Sequence, residues 1–402
     1  MTRIPEIEAS YNYMRKYFLS FLLLIQSVVF AQNTKPIMLP NGWKLTPAGK
    51  STGLGDLPLN LVISPDKQYI VATNNGYGAH TLQLLDAQTK VLLDTRDIGK
   101  AWYGLAFSSD SKTLYASGGY NNQVVKLQIL QKRLVVVDSI PLGKPWPEKI
   151  GVAGLALDDK NHKLFAVTHD DGALYVIDTE TKTILSRTQL EGEAYTCLLS
   201  KDRKTLYISC WGCDKILWFD VASGQIRKQV QVGDNPNELA LSANGKYMYA
   251  AIANDNAVAV MDARSGKLLE VLNVALYPGS PSGSTSNSVA LSEDNKTLFV
   301  ANADNNCVAV FDVTKPGASK GKGFIPVGWY PTAVRVFGNE LLVANAKGFS
   351  SFPNPHGPNP TVRRQRVQHQ ANTPETEVQY VGGMLLGTLS TIPIPDASQL
   401  AE

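Results

Sequence analysis

Along most of this chain apolar and polar residues alternate in short runs, and the runs are separated by turns of Asp, Asn, Gly, Ser and Lys. Alternation with a period of two predicts strands that bury one face. Residues 289–313 show the unit: VALS, TLFVAN and CVAVFDV, joined by EDNK and ADNN. Three antiparallel strands of this length cannot bury both faces alone, so the unit must stack against others. The chain supplies them. First strands end at Ser64, Ser108, Asp158, Ser200, Ser242 and Ser292, with Phe337 in a shortened seventh turn. Second strands follow as YIVATN (69–74), TLYASG (113–118), KLFAVT (163–168), TLYISC (205–210), YMYAAI (247–252), TLFVAN (297–302) and LLVAN (341–345). Third strands close on Asp86, Asp178, Asp220, Asp262, Asp312 and Asp396, and Asp178, Asp220 and Asp262 are 42 residues apart (178 to 220, 220 to 262). An aspartate there accepts the backbone N–H two residues on and starts the hairpin into a fourth strand, so these read as turn formers rather than catalytic carboxylates.

Seven copies of four strands, at a period of roughly 42–50 residues, predict an all-β, seven-bladed β-propeller. The seventh copy has first and second strands near 331–345 and a third at Gly387–Pro395, but no fourth. A lone strand at Gly42–Thr52 fills that place, so the N-terminal strand pairs with the last blade and closes the ring.

Residues 1–31 read as a signal peptide, with Met14 as an alternative start. Arg15 and Lys16 precede the apolar run Tyr17–Phe30, and Val29-Phe30-Ala31 offers a cleavage site. The run is too short to favour a stable membrane anchor. The expectation is an exported mature chain, periplasmic or extracellular, running from 32 to 402 as one monomeric propeller. Lys and Arg number 38 against 35 Asp and Glu. No basic stripe is interleaved with aromatics along the repeats, which argues against nucleic acid as a partner. Export permits disulfides, but four cysteines in 402 residues are no framework.

Candidate chemistry gathers in the loops. Links from a fourth strand to the next blade's first strand should lie on one face, together with the second-to-third turns. These links carry Trp102, Tyr103, Trp146, Tyr195, Asn237, Tyr277, Trp329 and Tyr330. Aromatics with a polar rim suit a ligand site; the alternative is that they cap the blades against the core. The insertion 347–381 falls on the same face and carries PNPHGPNP, Arg363, Arg364, Arg366 and His369. A loop this long is functional or disordered, and the basic cluster suits an anionic ligand or a partner domain, or else is a solvated charge run. Cys210-Trp211-Gly212-Cys213 lacks the histidine that haem attachment requires, since Asp214 comes next. A redox motif wants a helix N-terminus. That leaves a local disulfide or two thiols. Cys197 alone does not complete a zinc site, and His169-Asp170-Asp171 reads as turn chemistry. No phosphate loop, nucleophile elbow or zincin motif occurs, so neither metal nor cofactor is expected.

The repeats TLFVAN, LLVAN and YIVATN resemble the YVTN-type repeats of YncE-like and lactonase-like seven-bladed propellers. GDLPLN (55–60), YPGSPSGST (277–285), VANADNNCVAVFDV (300–313) and the Pro-rich stretch at 353–360 resemble, further, the propeller half of two-part bacterial proteins. In those, a YncE-like propeller precedes an alkaline-phosphatase-superfamily phosphoesterase. The resemblance covers essentially everything after the leader, although the repeat motifs specify only a fold. The sequence ends at Glu402, so no activity of a phosphoesterase half is carried onto any residue. It implies a stand-alone or truncated counterpart: an exported, non-catalytic scaffold that binds a small molecule or a protein, a phosphoesterase domain among the protein candidates. The rival expectation is a lactonase-like hydrolase with an acid/base group or a metal in its channel, where Glu238 and Arg335 are the main candidate residues.

Overall fold

A computed structural model describes residues 36–401 except 146, 356, 358–365, 368–376 and 379–380. Contacts divide the chain after Pro36, and the strands all belong to the unit Ile37–Glu402. The proposed leader lies outside the described residues.

The alternating runs form seven four-stranded antiparallel sheets. Their innermost strands are Leu61–Ile63, Leu105–Phe107, Val152–Asp158, Ala194–Leu199, Pro236–Leu241, Ser286–Leu291 and Trp329–Phe337. Each packs beside the next, and the last packs beside the first, so the sheets are blades in a closed ring. Blades 1 to 6 run inner to outer in sequence order. Blade 7 takes Trp329–Phe337, Glu340–Gly348 and Thr388–Pro393, and its outer strand is Lys50–Gly53, with Lys50 opposite Thr391 and Gly53 opposite Thr388.

The strand expected at Gly42–Thr52 is in fact two pieces. Lys44–Leu45 pairs with Ile37–Met38, and only Lys50–Gly53 reaches the blade. Between them Pro47 donates no N–H. Gly49 has φ +73°, and a Cβ there would sit 2.2 Å from the Thr391 carbonyl oxygen. Asp396 lies beyond its strand and caps a C-terminal turn through the N–H groups of Ser398 and Gln399.

Both faces of the blades are apolar, and the core lies between blades, with a cluster of buried side chains at each of the seven junctions. The closing junction joins Leu61, Ile70 and Ala72 to Leu342, Ala344 and Leu389. A fully buried side chain of this kind stabilises by about 1.5–3 kcal/mol.

Turn chemistry repeats with the blades. The hydroxyls of Ser64, Ser108, Ser200, Ser242 and Ser292 accept the N–H five residues on at 2.9–3.0 Å. Each donates to Asp66, Asp110, Asp202, Asn244 or Asp294 two residues on. At the same end of the blades, Asp86, Asp178, Asp220, Asp262 and Asp312, which close the third strands of blades 1, 3, 4, 5 and 6, accept N–H groups two or three residues on, as the sequence pattern predicts.

Candidate functional site

The links and the second-to-third turns share a face because side-chain oxygens stitch them together. Asn122, Asp214, Asn256 and Asn306 end second-to-third turns in the left-handed region, with φ between 51° and 59°. Asn and Asp tolerate that region best among side-chain-bearing residues. The Oδ1 atoms of these four residues accept from Gly151, Asn235, Gly283 and Tyr330 in the next links along the chain, at 2.9–3.2 Å. The link then enters the inner strand through a second left-handed residue: Leu57, Gly151, Asn235, Thr285 or Tyr330. Register shifts come next, at Ala194/Thr196, Pro236/Leu239 and Ser286/Ser288. Such bulges re-aim side chains, and here they surround the residues that face the channel.

Those channel residues form one hydrogen-bonded network. The Arg335 guanidinium donates to both Glu238 oxygens, Nη2 to Oε1 at 2.6 Å and Nη1 to Oε2 at 3.0 Å. Glu238 also accepts from the Tyr103 hydroxyl at 2.7 Å, from the Val289 N–H at 3.2 Å and from the Ser288 hydroxyl. Arg335 Nη2 further donates to Asn60 Oδ1 at 2.7 Å, and Nη1 to the Val334 carbonyl at 2.7 Å. Blades 1, 2, 5, 6 and 7 are thus tied across the channel. The two charged side chains are 19% and 11% exposed, so the pair is largely desolvated. Burial opposes the charge on Arg335, but the Glu238 carboxylate and Tyr103 together more than offset it and raise the guanidinium pKa. Burial, then the Glu238 charge, push the Tyr103 phenol well above its ordinary value.

Beside the network is a cavity of about 130 Å³, lined by Val62, Leu105, Leu155, Thr196, Cys197 and Leu239 among others. That is room for a few waters at about 30 Å³ each. Neighbouring inner strands approach closely here: a Cβ on Gly104 would lie 2.4 Å from the Ala153 carbonyl oxygen, and one on Gly154 2.4 Å from Thr196 Cα.

The rim is aromatic in two places. Trp102 meets His169 edge-on at 5.1 Å and Tyr195 at 6.0 Å; Tyr195 lies 4.7 Å from Tyr103, and His169 5.9 Å from Trp211. His169 Nδ1 is 3.5 Å from Asp170 and Nε2 3.3 Å from Glu193. Across the mouth, the Lys347 ammonium sits 4.1 Å from the Tyr330 ring centre and 5.4 Å from that of Trp329. Trp211 stands in a turn closed by a disulfide between Cys210 and Cys213, whose Cα atoms are 5.4 Å apart.

The family described as "Lactonase, 7-bladed beta-propeller" matches residues 176–348, from the third strand of blade 3 to the second strand of blade 7. The chain is a seven-bladed β-propeller. Antigen Lp49 of Leptospira interrogans serogroup Icterohaemorrhagiae serovar copenhageni (strain Fiocruz L1-130) is 20% identical over 185 residues. That match takes in 44% of this chain and 39% of the relative's length. The solved structure of Kuenenia stuttgartiensis Hydrazine Synthase superposes with a TM-score of 0.62 at 16% identity, over 73% of this chain and 93% of that one, and shows the fold alone.

The propeller scatters the residues singled out from sequence. Trp102 and Tyr195 meet in one cluster, Trp329 and Tyr330 in a second, and Tyr277 stands apart at 60% exposure. Tyr103 and Asn237 are buried: Tyr103 belongs to the channel network, and Asn237 Nδ2 donates to Asn287 Oδ1 at 3.0 Å. Trp146, Arg363 and Arg364 lie outside the described residues. Sequence reasoning noticed His169 and Trp211 only as parts of other motifs, and missed Lys347 as their counterpart across the mouth. It had a usable signal for Arg335. The equivalent positions in blades 1 to 6 are Val62, Ala106, Ala156, Leu198, Ala240 and Ala290, so a charge there breaks the repeat.

Proposed function

We propose that this propeller is an exported binding protein, that it recognises its ligand through the face bearing Trp102, Tyr195 and Trp211, and that its channel is structural. The observation that carries the reading is the commitment of Glu238 and Arg335 to each other. A general base needs a free lone pair within reach of substrate. Glu238 already accepts five hydrogen bonds, from Tyr103, Ser288, Val289 and twice from Arg335. The half-buried rings of the rim, in contrast, stand on stitched, rigid links. Export is supported by the order of charged, apolar and small residues in 1–31 and by the Cys210–Cys213 disulfide. The ligand in this reading is a small molecule or a protein, a phosphoesterase domain among the candidates.

The second reading, a lactonase-like hydrolase, is favoured by the family match, whose span includes both Glu238 and Arg335. One experiment separates the two. The purified chain, Trp102→Ala and Glu238→Gln are screened by thermal shift and for turnover against sugars, lactones, phosphate esters and divalent metals. The binding reading expects a stabilising ligand that is lost with Trp102→Ala and is not turned over. Lactone hydrolysis that disappears in a folded Glu238→Gln variant overturns it.

A further inference from the structure

The face that carries the rim is electrically divided. Over blades 3 to 6 its turns and links hold Asp170, Asp171, Glu191, Glu193, Asp214, Asp234, Asp255 and Asp304. Arg187 pairs with Asp171, and Lys215 with Glu191. Among the described residues the other six acids have no lysine or arginine at salt-bridge distance. Over blades 7, 1 and 2 the same face carries Lys347, Lys100, Lys144 and Lys149 against Asp56 and Glu148.

Turn geometry accounts for only part of this charge: Asp255 accepts from the Asp234 N–H at 2.8 Å and Asp304 from the Thr285 hydroxyl. Asp214 stitches its link with one oxygen, as Asn122, Asn256 and Asn306 do at the same place in other blades. A neutral amide suffices for the stitch. The aromatic cluster stands at the edge of the acidic half, with Glu193 and Asp170 against His169 between Trp102 and Trp211. Across the mouth the chain shows what such rings accept, because the Lys347 ammonium lies over Tyr330 and Trp329.

We infer that the half of this face formed by blades 3 to 6 docks a basic segment of a partner protein, its lysine or arginine side chains seated against Trp102 and Trp211 and paired with Glu193 and Asp170. The inference rests on the binding reading above and names the chemistry of the partner. Acids distributed over four successive blades suit an extended chain better than one small cation. Complementary charge of this kind steers association and suppresses wrong partners.

The test is fluorescence anisotropy with a fluorescein-labelled lysine–glycine repeat peptide and its glutamate–glycine counterpart. The cationic peptide is expected to bind and the anionic one not. Glu193→Gln combined with Asp170→Asn should weaken binding about tenfold, and Trp211→Leu about threefold, the size of an exposed cation–π contact. Asp202→Asn and Asp220→Asn, on the opposite face, should leave it within about twofold, since exposed charges farther than a Debye length of about 8–10 Å are screened. Absence of cationic binding overturns the inference. So does equal weakening by the opposite-face variants, and so does insensitivity to the Glu193/Asp170 pair, whatever Trp211→Leu does to its turn. A panel ligand that still depends on Trp102 while the cationic peptide fails would remove the basic partner and leave the binding reading standing. Loss of both removes both.

Discussion

A single desolvated ion pair sets the character of the channel. Glu238 and Arg335 come from blades 5 and 7, and each would be an uncompensated buried charge without the other. Breaking a pair of this kind costs about 3–5 kcal/mol, whereas replacing both partners with apolar groups is often neutral. Arg335→Met should therefore destabilise by about that amount in urea denaturation. Adding Glu238→Met should recover much of the loss. A single variant within about 1 kcal/mol of the parent would show that the pair is solvated, in the range of a surface bridge. Buried thiols give a second prediction at this scale. Burial pushes the Cys307 thiol up to about 12 and Cys197 further, so little thiolate forms near neutrality and reactivity is suppressed. Intact protein should resist iodoacetamide at both positions, and mass spectrometry should find both alkylated once the chain is unfolded.

At the level of the element, short polar side chains decide where strands begin and end. Asn306 holds φ 53° and supplies the acceptor for the Tyr330 N–H. Asn306→Ala loses that bond and places a Cβ-bearing residue without local compensation in the left-handed region, a loss of about 1–3 kcal/mol. Asn306→Gly should recover only the backbone part, which chemical denaturation of the two variants would resolve. The aspartates that close third strands give a pH dependence. Hydrogen bonds from the adjoining turn hold Asp86, Asp178, Asp220 and Asp262 below the ordinary carboxylate value; for Asp312 these come from Thr314. Their contribution is present above the unfolded value near about 3.9 and is lost as pH falls through the lower folded values. Stability should fall through that acidic window, and Asp178→Asn, Asp220→Asn and Asp262→Asn together should flatten the fall. A parallel curve for the triple variant would place the acid sensitivity elsewhere.

Over the whole molecule, the ring depends on four residues from the N-terminal side. Lys50–Gly53 covers the edge of Thr388–Pro393, and an uncovered edge is a template for pairing with another chain. A chain beginning at Leu54 should unfold about 2–3 °C lower, the shift expected from a loss of roughly 2 kcal/mol in a domain of this size. It should also self-associate on a sizing column. A monomeric chain of unchanged melting temperature would mean that the strand is ornamental to closure.

The sequence determined the number of blades, the limits of most strands and the aspartate turns, because period-two alternation and Asx chemistry act over a few residues and repeat with the chain. It also located the closing strand, although not the break between Leu45 and Lys50, which depends on how closely Gly49 approaches Thr391. Which side chains meet across the channel was decided only by the closed ring. Glu238 and Arg335 are 97 residues apart, and no local pattern joins them. The same holds for the rim, where Trp102, His169, Tyr195 and Trp211 come from three consecutive blades. Their meeting results from the ring's curvature, which brings each link over the turns of its neighbours.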